Sequence, residues 1–205
     1  MSTAASLHRF PQIHLNRGQP LGSFHVPEVF CERDGPPGGP AYLDESVAWI
    51  GLGGNLGDVA ATLGHARTAL ARLACGPLRE SRLFSTAPWG PTPGPEFLNQ
   101  VVGFPCRLPA ETLLSALLEL EASLGRVRLE RWGPRTLDLD LLTYGALICT
   151  TPTLTLPHPR LAERRFVLLP WAEVSPDLTV PGLGRTVAAL LADCPDSGRV
   201  WPSPG

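Results

Sequence analysis

The sequence contains no lysine, and all seventeen of its Lys-plus-Arg residues are arginines. This absence excludes several classes of enzyme. A Walker A loop places a lysine on the nucleotide phosphates, a protein kinase needs its strand lysine, and Schiff-base catalysis needs a side-chain amine. If the chain binds phosphate groups, it must therefore use arginine, metal ions and backbone amides.

Further absences concern the partners and the environment of the chain. Seventeen arginines against nineteen acidic residues give a formal charge of -2, which favours neither nucleic acid nor an anionic membrane. The sequence has neither the apolar segment of a signal peptide nor a stretch long enough to span a membrane. Its five cysteines are far apart and form no C-x-x-C pair. We therefore expect reduced thiols, a cytoplasmic location, and neither nucleic acid nor a membrane as a partner.

The length of 205 residues, of which 43% are hydrophobic, suffices for one well-buried core. Residues 1–46 mix isolated apolar residues with proline and glycine, without a sustained period, so we expect a disordered leader. One ordered domain over 47–194 and a flexible tail over 195–205 are expected to follow. Because Met1 is the only methionine, we also hypothesise that translation begins near Val47 at a non-AUG codon.

Hydrophobic periodicity predicts the order of strands and helices in the ordered domain. A β-rich apolar run over 47–52 ends in a glycine-rich turn, and a helical pattern follows over 60–74. Further strands are predicted near 79–85, 99–107 and 137–144, and further helices over 109–124, 162–174 and 186–192. The first six elements have the β-α-β-β-α-β order of a ferredoxin-like α+β fold, with both helices on one face of an antiparallel sheet. We expect the extra C-terminal elements to decorate this core.

The densest group of charged residues lies over 125–140, where four arginines precede a strand that carries two aspartates. Asp138 and Asp140 are two residues apart on this strand, so they face the same side. Such a pair can hold a hard cation such as Mg²⁺, which takes few carboxylates together with phosphate oxygens. Guanidinium groups nearby can bind those oxygens in a bidentate way. Because the two carboxylates repel each other, we expect electrostatic strain in the empty site.

A solvated strand face beside a solvated loop is the alternative interpretation of these charges. Leucines alternate with the aspartates, however, which indicates that the opposite face of the strand is buried and holds the carboxylates rigidly.

The run R-W-G-P-R-T-L-D-L-D-L-L resembles the signature of the 6-hydroxymethyl-7,8-dihydropterin pyrophosphokinase family. The resemblance covers residues 47–178 and includes G-L-G-G-N-L-G-D, S-T-A-P-W-G-P and L-P-H-P-R-L-A-E-R-R-F-V-L-L-P at compatible spacing. It implies an enzyme of folate biosynthesis that transfers pyrophosphate from ATP to 6-hydroxymethyl-7,8-dihydropterin and releases AMP. It further implies ATP as co-substrate and two Mg²⁺ ions as cofactors, and we expect a monomer.

The resemblance also implies roles for individual residues. The metal ligands would be Asp138 and Asp140, and the catalytic groups would be these two together with Arg126, Arg128 and Arg135. ATP would contact Glu121, Arg128, Arg131, Trp132, Arg135, His158 and Arg164. The pterin would contact Gly53, Thr86, Trp89, Phe97, Asn99 and Phe166. Phe97 and Phe166 could stack on its flat ring, and the amide of Asn99 offers a donor and an acceptor. The alternative is structural, since an isolated phenylalanine usually belongs to the core and an asparagine next to a strand is usually a turn or cap residue. The resemblance places Arg126 and Arg128 on a mobile loop that closes over the site.

A different class of function is a ferredoxin-like module that binds nucleotides or RNA on its sheet through aromatic and arginine side chains. The paired aspartates argue against this alternative, because without a metal ion they would repel a phosphate ligand. Dependence of nucleotide binding on Mg²⁺ distinguishes the two functions.

Overall fold

The computed structural model of the chain describes residues 46–87, 94–125 and 135–204. Its helices are α1 Val59–Leu73, α2 Ala110–Ser123, α3 Arg165–Val174 and α4 Val187–Ala192, and a 3-10 turn spans Leu161–Glu163. Its strands are β1 Ser46–Gly54, β2 Arg79–Glu80, β3 Phe84–Thr86, β4 Phe97–Cys106, β5 Asp138–Tyr144, β6 Cys149–Thr150, β7 Thr155–Leu156, β8 Thr179–Val180, β9 Arg185–Thr186 and β10 Val200–Pro202.

The main sheet has the strand order β10-β3-β4-β1-β5, and β2 also pairs with β4. Every pairing in it is antiparallel. The short strands β2 and β3 together occupy the place of the second strand in the β-α-β-β-α-β pattern. Across the sheet the four core strands are therefore β5, β1, β4 and the pair β2 and β3, which is the order fourth, first, third and second of the pattern. The predicted ferredoxin-like α+β fold is confirmed.

The first two helices cover one face of this sheet. The carboxylate of Asp58 caps α1 by accepting a hydrogen bond from the amide of Ala61 at 3.0 Å. Apolar side chains at helical spacing then point to the sheet, and both helices are buried along this stripe. The fully or almost fully buried residues are Leu63, Ala66 and Leu70 of α1, Leu113, Leu117 and Leu120 of α2, and Ile50, Val102 and Leu139 of the strands.

The C-terminal helices form a second layer on the opposite face. Trp49 of β1 and Trp171 of α3 are both buried, and their ring centroids lie 5.6 Å apart. Val101 and Leu142 of the sheet pack into the same cluster with residues of α3 and α4. The sheet is therefore covered on both faces in this region, and the predicted C-terminal decoration is a second core.

The last strand corrects the prediction of a flexible tail over 195–205. In β10, Val200 lies opposite Thr86 and Trp201 opposite Ser85, and the amide of Ser203 donates to the carbonyl oxygen of Leu83 at 2.9 Å. This strand supplies hydrogen-bond partners to β3, which would otherwise be an open sheet edge. Three residues are too few to show a period, so the pattern alone did not predict it. The predicted leader lies outside the described residues except for Ser46.

Within residues 46–87, 94–125 and 135–204, none of the helices combines the length and the hydrophobicity needed to cross a bilayer. The longest of the described helices, α1, has 15 residues. A bilayer core requires about 20 consecutive apolar residues in a helix.

Tyr144 ties the end of β5 to the segment before α2. Its hydroxyl donates to the carbonyl oxygen of Leu108 at 2.5 Å, with the carbonyl oxygen of Cys106 at 3.1 Å. The side chain is buried, and this burial raises the pKa of Tyr144 from 10.0 to about 12. The folded state therefore favours the neutral phenol.

We predict that Tyr144→Phe lowers the free energy of unfolding at neutral pH by about 1 kcal/mol, the usual net contribution of one hydrogen bond. Since folding raises the pKa of Tyr144, its stabilisation is present below pH 10.0 and lost as the pH rises towards about 12. The variant should lack this part of the alkaline loss. Urea denaturation of the wild type and the variant across the alkaline range measures the free energy of unfolding at each pH. If it declines equally steeply in both proteins, Tyr144 is not the source of the alkaline loss.

Candidate active site

A cavity of about 250 Å³ opens on the sheet face that faces α3. The register explains its position, because Gly53 of β1 lies between Asn99 of β4 and Asp138 of β5. Gly51 lies in the same way beside Asp140. A Cβ atom on Gly53 would stand 3.2 Å from the Oδ1 atom of Asn99. The two glycines thus leave the floor of the cavity open between polar side chains of the neighbouring strands.

One end of the cavity, here called the acidic end, holds Asp138 and Asp140 with their arginine partners. The guanidinium of Arg135 donates to the carboxylate of Asp138. The Nη1 atom of Arg164 donates to Oδ2 of Asp140 at 2.5 Å. Both carboxylates are about three-quarters buried. The expected strain between unpaired carboxylates is therefore not observed, because each one faces its own guanidinium group.

His158 lies beside the acidic end, with its Nε2 atom 3.9 Å from Oδ1 of Asp140. Its Nδ1 atom accepts a hydrogen bond from the amide of Arg160 at 3.1 Å, so the proton of the neutral ring lies on Nε2. Burial lowers the pKa of His158 below 6.5, Arg164 and Arg160 lower it further, and Asp140 opposes these effects. The ring is thus a neutral donor directed towards the acidic end.

The other end of the cavity, here called the aromatic end, contains Phe97, Phe166, Asn99 and Thr86. The amide nitrogen of Asn99 donates to the Thr86 hydroxyl at 3.1 Å, and both side chains are buried. The Phe166 ring centroid lies 5.8 Å from the guanidinium carbon of Arg164. This contact connects the two ends of the cavity, because Arg164 also pairs with Asp140.

Asn55 holds the segment before β5 in place, and the sequence analysis did not assign it this role. Its backbone N–H donates to the carbonyl oxygen of Arg135 at 2.9 Å, and its side-chain Oδ1 atom accepts from the backbone N–H of Arg135 at 2.8 Å. The side chain is 7% exposed. A buried pair of hydrogen bonds therefore fixes the residue whose guanidinium reaches Asp138.

Glu121 does not line the cavity. It is 2% exposed at the end of α2, and its Oε1 atom accepts from the amide of Leu139 at 2.7 Å. Leu139 lies between the two aspartates, so Glu121 supports the strand that carries them. Its contact with ATP stays a prediction, whereas its observed hydrogen bond gives it a structural role.

Apart from Glu121 and His158, the predicted site residues that the structure describes all border the cavity, together with residues that were not predicted. Gly53, Thr86, Phe97, Asn99, Arg135, Asp138, Asp140, Arg164 and Phe166 all border the cavity. Trp89, Arg126, Arg128, Arg131 and Trp132 lie outside the described residues. Arg160, Asp196 and Arg199 border the cavity although sequence reasoning assigned them no role. Arg160 stands within the quoted L-P-H-P-R-L motif, whereas no local pattern marks the other two.

These features define a class of protein. It is a ferredoxin-like α+β protein whose sheet presents two carboxylates and several guanidinium groups beside an aromatic, amide-containing pocket. Such a cavity fits a small ligand set that combines phosphate groups with a flat polar ring.

Comparison with known families identifies the chain further. The family model described as 7,8-dihydro-6-hydroxymethylpterin-pyrophosphokinase (HPPK) matches residues 49–176. The match covers more than half of the chain and includes the ferredoxin-like core from residue 49 of β1 onwards. The chain belongs to this family.

Curated relatives agree with this assignment. The 2-amino-4-hydroxy-6-hydroxymethyldihydropteridine pyrophosphokinase of Synechocystis sp. is 42% identical over 165 residues, which cover 77% of this chain and 81% of the relative. The protein of the same name from Methylorubrum extorquens is 43% identical over 155 residues, which cover 74% of this chain and 95% of the relative.

Solved structures show the same fold at low sequence identity. A Plasmodium falciparum HPPK-DHPS crystallised with pteroate matches with a TM-score of 0.57 and 13% identity, over 72% of this chain and 42% of that one. A variant of that protein matches with a TM-score of 0.59 and 13% identity, over 74% and 46%. The chain thus spans less than half the length of these solved chains.

We predict that Asn55→Ala lowers the free energy of unfolding by about 1 kcal/mol, because the part-buried backbone amide of Arg135 loses its acceptor. Hydrogen exchange of that amide, followed by mass spectrometry of the 135–144 peptide, should become faster. Asn55→Asp is the matched control, since its carboxylate still accepts from the Arg135 amide. Unchanged protection in Asn55→Ala would contradict the role assigned to this side chain.

Proposed function

We propose that the chain transfers the pyrophosphoryl group of ATP to the hydroxymethyl oxygen of 6-hydroxymethyl-7,8-dihydropterin, a step of folate biosynthesis that releases AMP. The observation that carries the proposal is the cavity itself, in which Asp138 and Asp140 lie with two guanidinium groups next to Phe97 and Asn99. Membership of the pyrophosphokinase family supports the same reaction.

The acidic end suits the phosphates of ATP and their magnesium ions. Within the described residues no group of three or more His, Cys, Asp or Glu side chains could hold a metal. Two carboxylates on one strand face nevertheless fit Mg²⁺, which usually takes one or two carboxylates and completes its shell with phosphate oxygens and water. Asp138 and Asp140 would hold it, and two ions are expected. When bound, Mg²⁺ neutralises charge on the phosphate oxygens.

The arginines of the acidic end would exchange partners when the nucleotide enters. In the structure Arg135 and Arg164 neutralise Asp138 and Asp140. When these carboxylates serve as metal ligands, both guanidinium groups become available to the phosphate oxygens. The neutral His158 can donate from Nε2 to an oxygen of the nucleotide. The lid role of Arg126 and Arg128, and the contacts of Arg131 and Trp132 with ATP, stay predictions.

The aromatic end suits the pterin ring. Phe97 and Phe166 offer faces for stacking, and Gly53 leaves room beside the Asn99 amide. The hydrogen bond from Asn99 to Thr86 fixes the orientation of that amide, which can then pair with the polar edge of the ring. The assignment of Trp89 to this pocket stays a prediction. A pterin held here lies next to the acidic end in the same cavity.

The chemistry then consists mainly of positioning and electrostatic stabilisation. The hydroxymethyl oxygen attacks the β-phosphorus in line, the bond from this phosphorus to the α-phosphate oxygen breaks, and AMP leaves. Arg135 and Arg164 stabilise the charge that develops on the transferred group, and because they exchange partners when the nucleotide binds, they need little reorganisation during the transfer itself. Asp140 is the candidate acceptor of the hydroxyl proton.

The experiment that tests the proposal is incubation of the purified protein with Mg-ATP and 6-hydroxymethyl-7,8-dihydropterin, followed by chromatography of the nucleotides. AMP and the pterin diphosphate should form in equal amounts, and chelation of the metal should stop the reaction. Formation of ADP in place of AMP would mean transfer of one phosphoryl group, and the proposed reaction would be wrong.

We predict that Asp138→Asn and Asp140→Asn each lower kcat at least about 10²-fold, the scale observed when one key electrostatic group is removed from a preorganised site. The rise in melting temperature on addition of Mg-ATP should be much smaller than in the wild type. Without ligand the stability of each variant should fall by less than about 1 kcal/mol, because an arginine loses its partner.

Asp177→Asn is the control for these two variants, because Asp177 is exposed and does not line the cavity. It should retain both turnover and the ligand-induced rise in melting temperature. If Asp138→Asn behaves like this control, the metal ions are held elsewhere.

We predict that Phe97→Ala weakens pterin binding by about 1–3 kcal/mol, the scale of stacking between a base and an aromatic side chain. Binding of ATP should change little, because Phe97 has no contact with the arginines among its described interactions. Phe97→Tyr keeps the ring and should bind pterin almost as the wild type does. Isothermal titration calorimetry measures both ligands, and a collapse of ATP affinity in Phe97→Ala would contradict the assignment.

A further inference from the structure

The C-terminal segment 194–202 forms one wall of the cavity. It leaves α4, passes the beginning of α3 and ends as the edge strand β10 beside β3. Four of its residues border the cavity: Asp196, Gly198, Arg199 and Val200. The family match ends at residue 176, so this wall lies beyond the part of the chain that defines the family.

We propose that Asp196 is a positioning residue for the pterin site, because its carboxylate fixes the beginning of α3 and thereby the ring of Phe166. The inference rests on the proposed function, since it takes the aromatic end of the cavity as the place of the pterin. It assigns to the C-terminal segment a part in substrate binding that acts through the position of Phe166.

The carboxylate of Asp196 acts as a cap for α3 supplied from a distant part of the chain. Its Oδ2 atom accepts from the amide of Arg165, the first residue of α3, at 3.2 Å. Arg164, the N-cap residue of this helix, makes no side-chain capping hydrogen bond, and the first turn of the helix contains no acidic residue. The first amides of a helix lack partners within the helix, and a carboxylate next to them is favourable. Asp196 meets this need.

The helix start that Asp196 caps carries two groups of the candidate active site. Arg164 and Phe166 flank Arg165, and both border the cavity. Arg164 is also held by its ion pair with Asp140 at 2.5 Å. Phe166 is held by the backbone of α3, by packing against the buried cluster around Trp171 and by its contact with the Arg164 guanidinium. A displaced helix start would therefore move the Phe166 ring more than the Arg164 guanidinium.

The carboxylate of Asp196 is itself held by its own segment. Its Oδ1 atom accepts from the amide of Gly198 at 2.8 Å, and a Cβ atom on Gly198 would stand 2.8 Å from the same oxygen. Real Cβ atoms do not approach an oxygen so closely, so a side chain at 198 would displace the carboxylate. Further along the segment, Val200 pairs with Thr86 of β3, and this pairing anchors the segment to the sheet. Thr86 also accepts the hydrogen bond from the Asn99 side chain.

The test compares four variants with the wild type in steady-state kinetics and in equilibrium binding of the pterin followed by its fluorescence. Asp196→Ala removes the cap, and Gly198→Ala displaces it without touching Asp196. Asp196→Asn keeps an oxygen that can accept from the Arg165 amide. Asp193→Ala is the matched control, because Asp193 lies in the same region, pairs with Arg185 and does not border the cavity.

We expect Asp196→Ala to raise the KM and the Kd for the pterin about 10-fold, the effect of losing one charge-assisted hydrogen bond. The KM for ATP should change less, because the ion pair with Asp140 holds the Arg164 guanidinium in the cavity until ATP binds. Asp196→Asn should restore most of the pterin affinity, Gly198→Ala should resemble Asp196→Ala, and Asp193→Ala should resemble the wild type.

Wild-type affinity for the pterin in Asp196→Ala would overturn the inference. So would an equal loss in Asp193→Ala, or a failure of Asp196→Asn to restore binding, because either result would deny a specific capping role. If Asp196→Ala does not fold, Gly198→Ala and Asp196→Asn decide by the same comparison. The release of AMP by the wild type tests the proposed function separately, since the inference depends only on the ratios between variants and wild type in pterin binding.

Discussion

The register of β1 between β4 and β5 decides where each group of the candidate active site lies. Gly53 pairs with Asn99 on one side and Asp138 on the other, so the amide and the first carboxylate face the same cavity. A slip by one residue would turn each of these side chains to the opposite face of the sheet. The buried stripe of Ile50 and Leu52 makes such a slip costly, because it would expose the core under α1 and α2.

Hydrogen bonds from two buried side chains reinforce this register from outside the sheet. The side chain of Glu121 accepts from the amide of Leu139, between the two aspartates, and that of Asn55 accepts from the backbone amide of Arg135. Neither side chain borders the cavity. They hold the backbone of the strand and of the segment that precedes it, and a carboxylate pair can act as a precise ligand set only when that backbone does not move.

The two carboxylates of the acidic end each have a guanidinium partner. Arg135 pairs with Asp138 and Arg164 with Asp140, so the structure does not contain the unpaired carboxylates that the sequence led us to expect. The same four groups suit Mg-ATP after an exchange of partners. Preorganised charges of this kind lower the reorganisation that a reaction requires, which is the main contribution a protein makes to phosphoryl transfer.

The sequence by itself determined the fold class, the two aspartates on one strand face and the family signature, because each can be recognised from residues that are close together in the sequence. The helical period marks α1 and α2, and the alternation of aspartate with leucine over 137–141 marks the face of β5 that carries the carboxylates. Only the tertiary structure decided the roles of Glu121, Asn55 and Asp196. Their hydrogen bonds join residues 18, 80 and 31 positions apart, and such contacts leave no local period in a sequence. The strand β10 was missed for a related reason, because three residues form a strand only when an open sheet edge lies beside them.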